Sequence, residues 1–125
     1  MRVEKDDLDE IIEIETNNYH IVHDLENTTI RLQGGLRLES TKEYVPIMQM
    51  FDQLIDQEPP LITLHLRDLS FINSSGINIL HKFILKVEQK KTSQLVVQAS
   101  QRHAWQHKVL MSLQRVMPLM QFSWE

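Results

Sequence analysis

Apolar and polar positions along the chain change period several times, and each change predicts an element. Tyr19-His20-Ile21-Val22-His23 and Thr28-Thr29-Ile30-Arg31-Leu32 are short β-prone runs on either side of Asp24-Leu25-Glu26-Asn27, which predicts a hairpin whose second run ends at Gly34-Gly35. From Ser40 to about Asp56, Tyr44, Met48, Phe51 and Ile55 recur at helical intervals, and Ser40 with Glu43 has capping-box spacing. A proline beyond the first turn clashes with an earlier carbonyl, so the regular helix is expected to begin nearer Pro46. Glu58-Pro59-Pro60 stops it, and Leu61-Ile62-Thr63-Leu64-His65-Leu66 has the near-continuous hydrophobicity expected of an interior strand covered on both faces.

Between Ser74 and about Lys91, Ile77, Leu80, Ile84 and Val87, with Phe83 beside them, form one apolar stripe against Asn78, His81, Lys82, Lys86 and Lys90. Gln94 to Ala99 reads as another buried strand. His103 to Val116 reads as a helix with Trp105, Val109 and Leu113 on one side and Pro118 as terminator. Met120, Phe122 and Trp124 alternate with polar residues in a closing strand. The order β-β-α-β-α-β-α-β predicts an α/β fold with a mixed, largely parallel sheet and helices packed on it. Sites in such folds lie beyond the carboxyl ends of strands, where helices begin.

A length of 125 residues allows one domain and excludes a two-domain enzyme, and 42% hydrophobic with 24% charged residues is an ordinary globular balance. No apolar run approaches the roughly 20 residues of a membrane helix. The start, MRVEKDDLDEIIEIE, is acidic where a secretory signal would be basic and then apolar, which predicts a cytoplasmic address. The absence of Cys excludes disulfides and thiolate chemistry, and a net charge of −4 speaks against a dedicated nucleic-acid binder. Residues 1–15 carry seven acids and two bases, whereas residues 86–125 carry six bases and two acids. The expectation is an acidic N-terminal extension over residues 1–17, either an arm for a basic partner or a solvated extension or helical turn, followed by a single domain over 18–125.

Candidate chemistry concentrates in Arg67-Asp68-Leu69-Ser70-Phe71-Ile72-Asn73-Ser74-Ser75-Gly76-Ile77, between the central strand and its helix. Asn73 or Ser74 can cap the helix, Gly76 permits close backbone approach, and a hydroxyl is held at a positive helix terminus. Other arrangements are poorer. Asn73-Ser74-Ser75-Gly76 lacks the flanking glycines of a nucleophile elbow, and Gly34-Gly35 lacks a Lys-Ser/Thr, so it reads as a turn and not a phosphate loop. His103 and His107 have the spacing for a shared metal but no acidic companion, which favours a solvated face. His20 and His23 differ by an odd number on a strand and point to opposite faces.

Leu64 to Gly76 resembles the signature of the STAS family, the bacterial anti-sigma-factor antagonists. Gly34-Gly35-Leu36-Arg37-Leu38, Asn73-Ser74-Ser75-Gly76-Ile77-Asn78 and Trp105-Gln106-His107-Lys108 look like a subgroup of STAS-like regulators found in cyanobacteria and other bacteria; the likeness covers about residues 28–122. The resemblance implies a STAS-like fold and a partner switch without enzymatic activity or cofactor of its own. The unphosphorylated protein would bind a serine kinase or anti-sigma factor of the histidine-kinase-like ATPase fold. Phosphorylation of Ser74 would release it, and a metal-dependent serine phosphatase would reset it. Ser75 is the rival acceptor, expected to face its neighbours because it lies deeper in the helix. Asn73, Ser74, Gly76, Asn78 and His81 would meet the partner. Asn73 and His65 replace the family's usual acids, and Gly35 and Arg37 replace the early Glu and Asp. The alternative is an unphosphorylated module acting as a constitutive scaffold or a small-molecule or nucleotide sensor.

Overall fold

A computed structural model describes all 125 residues. Strands β1 (Arg2–Lys5), β2 (Ile11–Glu15), β3 (Tyr19–Asp24) and β4 (Thr29–Leu36) lead to helix α1 (Thr41–Asp56). Strands β5 (Leu61–His65) and β6 (Leu69–Ile72), helix α2 (Ser74–Lys90), strand β7 (Gln94–Ala99), helix α3 (Ala104–Leu113) and strand β8 (Gln121–Trp124) complete the chain. One eight-stranded mixed sheet has the order β1-β2-β3-β4-β5-β7-β8, with β6 beside β4. The first four strands form an antiparallel meander, while β4, β5, β7 and β8 run parallel.

Each parallel step moves the same way across the sheet. Right-handed crossovers repeated in one direction return every helix to the same face, so α1, α2 and α3 share one side and leave the other without a helix. Burial records this. On the helix side Ile21, Leu32, Ile62, Leu64, Leu95 and Val97 are at most 1% exposed, whereas Arg31, Thr63, His65, Val96 and Gln98 on the opposite side are accessible. The expected double cover of β5 is therefore corrected: the strand is interior, but Leu61 remains 42% exposed. Its apolar run arises because Leu61 carries apolar bulk onto the open face.

Residues 1–17, read from sequence as an acidic extension, form β1 and β2. Ile14 pairs with Ile21 across the β2–β3 ladder and is fully buried, so this segment contributes to the core and is neither a helical turn nor wholly solvated. Strands β1 and β8 lie at opposite edges of the sheet, and no ion pair joins residues 1–15 to residues 86–125.

Helix α1 starts at Thr41, five residues before the position expected from Pro46. The missing proline amide would have bonded the Lys42 carbonyl, within an exposed first turn where water can serve that group. The predicted capping box is absent: Ser40 makes no side-chain cap bond, and the Tyr19 hydroxyl lies 3.4 Å from the Glu43 carboxylate.

Gly34-Gly35 is also not a turn. Strand β4 passes through it with an irregular register, and Gly34 adopts φ +89°, where an added Cβ would lie 2.4 Å from the Asn18 carbonyl oxygen. This break separates the half of β4 beside β5 from the half beside β6. On α3 the buried face is Gln106, Leu110 and Leu113; Trp105 and Val109 are half-buried, and the helix ends well before Pro118. No helix is long and apolar enough to cross a membrane.

Candidate functional site

The carboxyl end of β6 delivers the chain directly into α2. Asn73 is the N-cap, with Oδ1 accepting from the Gly76 amide at 2.9 Å and from the Leu38 amide at 3.2 Å. Its Nδ2 donates to the Leu38 carbonyl at 3.0 Å. One side chain thus closes the helix end and ties it to the segment after β4. Gly76 makes this approach possible: a Cβ there would lie 2.6 Å from Ile72 Cγ1 and 2.9 Å from the Leu36 carbonyl oxygen.

This anchoring leaves Ser74 exposed at the first position of α2, with Asn78 exposed and His81 half-buried further along the helix. Gly76 is buried. Of the five residues expected at a partner surface, four are accessible and Gly76 instead supports the turn from below. Ser75 corrects an expectation: it too is exposed, because the second residue of α2 faces the start of α1 across a shallow cavity of about 470 Å³ lined by Leu38, Glu39, Ser40, Thr41, Tyr44 and Ser75.

A second set of contacts, absent from the sequence reading, fixes the loop ahead of the turn. Gln106 is fully buried, donates through Nε2 to the Leu66 carbonyl at 2.6 Å and the Leu69 carbonyl at 3.1 Å, and accepts from the Ser100 amide at 2.8 Å. Trp105 Nε1 donates to the Leu69 carbonyl, and Arg102 donates to the Arg67 carbonyl at 3.2 Å. A glutamine amid apolar helical periodicity is the only sequence signal for this clamp, and periodicity had placed Trp105 on the buried side. His103 has an imidazole nitrogen 3.0 Å from the Arg67 carbonyl oxygen, whereas His107 lies against Trp124, so the two are engaged separately and hold no common metal position.

Titratable groups elsewhere explain themselves structurally. Glu13, Glu15 and His20 converge on the open face, but Arg2 lies 2.9 Å from Glu13 and 3.0 Å from Glu15 and occupies the place a cation would take. The hydrogen bond from His20, 2.7 Å away, and then the charges of His20 and Arg2, hold Glu13 below the usual carboxylate range. His23 is buried on the helix side with both ring nitrogens unpartnered, and burial lowers its pKa. Burial also lowers that of His65, helped by Arg31 and Arg67. No acid–base pair is brought within hydrogen-bond reach of the Ser74 hydroxyl. No protein-family model and no curated protein matches the chain.

Proposed function

We propose that this chain is a non-enzymatic, STAS-like switch protein of the anti-sigma-factor-antagonist type, whose phosphoacceptor is Ser74. The observation that carries the reading is the exposed Ser74 hydroxyl at the first position of α2, behind an Asn73 cap that fixes the helix start. The order strand, turn, short strand and helix from Leu64 to Gly76 supports a STAS-like arrangement of the α/β fold. The chain then acts as ligand and substrate in the cytoplasm, and catalysis belongs to a serine kinase or anti-sigma factor of the histidine-kinase-like ATPase fold. Ser74 Oγ attacks the γ-phosphorus of the partner's ATP, ADP leaves, and the hydroxyl proton passes to a base on the partner.

The phosphate so formed carries about −1.5 to −2 charges into the positive field at the start of α2, so modification is tolerated by the fold while the surface presented by Ser74, Asn78 and His81 becomes negative. A metal-dependent serine phosphatase restores the hydroxyl. Co-purification from the native cell, followed by affinity measurements with the isolated partner, tests this. Ser74→Asp weakens the complex, Ser74→Ala retains it, and Ser75→Ala behaves as the parent. Equal affinity of all three removes the switch. One observation favours a constitutive scaffold instead: Asn73 stands at the family's usual acid and spends its amide on the cap and Leu38.

A further inference from the structure

Lys82, Lys86 and Lys90 follow one another at one-turn spacing along α2, and α1 answers them unequally. Lys90 Nζ lies 3.7 Å from Asp56 and 3.6 Å from Glu58, and Lys86 Nζ lies 2.6 Å from Asp52. One turn closer to Ser74 this ladder loses its acid. The α1 positions one and two turns before Asp52 are Met48 and Tyr44, and Lys82 Nζ sits 2.6 Å from the Tyr44 hydroxyl and 5.0 Å above its ring, without an ion pair. Lys42 lies exposed in the first turn of α1 and makes no ion pair. Of the two acids at this end, Glu43 is engaged by Tyr19, and Glu39 lines the cavity at Ser75. A groove of about 430 Å³, with Tyr44, Met48 and Leu85 as its apolar lining, opens beside Lys82 and joins the cavity at Ser75 through Tyr44.

We infer that this unfilled end of the α1–α2 groove docks an acidic amphipathic helix of the partner protein, its apolar side chains on Tyr44, Met48 and Leu85 and its carboxylates on Lys82 and Lys42. The inference rests on the switch reading and names its partner chemistry. Charge complementarity chooses the occupant: a dianionic phosphate on Ser74 attracts a basic partner, whereas it repels an acidic one. Release on phosphorylation therefore selects an acidic surface.

The test titrates the ¹⁵N-labelled full chain with a synthetic amphipathic helical peptide bearing leucines on one face and glutamates on its flanks, and with its lysine counterpart. The glutamate peptide should shift the amides of Tyr44, Met48, Lys82 and Leu85, and Lys82→Glu should weaken it about tenfold, as loss and reversal of a docking charge does. Indifference to Lys82→Glu, equal binding of the lysine peptide, or preference for phosphatidylglycerol vesicles over both peptides overturns the inference. Binding of the glutamate peptide that ignores Ser74→Asp keeps the docking surface and removes the switch. A natural partner released by Ser74→Asp but indifferent to Lys82→Glu and Lys42→Glu keeps the switch and removes the docking surface.

Discussion

Two helices begin side by side, and the chain builds their starts differently. At α2 the Asn73 side chain makes three hydrogen bonds and Gly76 lets the helix settle against the Leu36 carbonyl. At α1 the Ser40 side chain makes no cap bond, and Glu43 turns away toward Tyr19. The first start is held to strand β4 and to the loop ahead of it, which gives Ser74 one defined position. The second leaves Ser40, Thr41 and Lys42 to solvent and to whatever meets the cavity between the helices. Rigidity beneath the acceptor and open polar groups beside it are what a surface needs if a small covalent change is to be read by a partner.

Breaking the tight start should cost most. Gly76→Val forces branched carbon into the Leu36 carbonyl and Ile72, and should lower stability by about 3 kcal/mol in denaturant unfolding. Asn73→Ala removes the cap and both ties to Leu38, and should cost about 2 kcal/mol in the same measurement.

Acidification should act away from both starts. The pKa of His23 is lowered in the folded protein, so below its ordinary value the unfolded chain binds the extra proton and stability falls as pH drops through about 6.5. The slope from His23 is at most about 1.4 kcal/mol per pH unit, and His23→Phe should flatten it. The difference between the two helix starts, measured as Asn73→Ala against Ser40→Ala, should not change with it. The smallest effect belongs to the loose start: Ser40→Ala should cost no more than about 0.5 kcal/mol, since no cap bond is lost.

Much of this was legible because it depends on local pattern. The stripe from Ile77 to Val87 placed α2, and Asn73-Ser74 before Ser-Gly narrowed its cap to one of two residues. Non-local features were not legible. Ser40 and Glu43 have the spacing of a capping box, yet Glu43 meets a tyrosine 24 residues away along the chain. The four-residue strand β6 is held by pairing to β4, too short to show a period of its own. Leu61 to Leu66 resembles a doubly covered strand because hydrophobicity alone does not report on which face the helices return. The clamp at Gln106 and the broken ladder at Lys82 arise from pairs of elements, and no single segment contains either.

Mass spectrometry of residues 67–82 in the chain isolated from its native cell, free and partner-bound pools analysed separately, tests the central claim most directly. Phosphate on Ser74 is expected in the free pool and an unmodified serine in the bound pool. Phosphate on Ser75 alone, or equal modification of Ser74 in both pools, would contradict it.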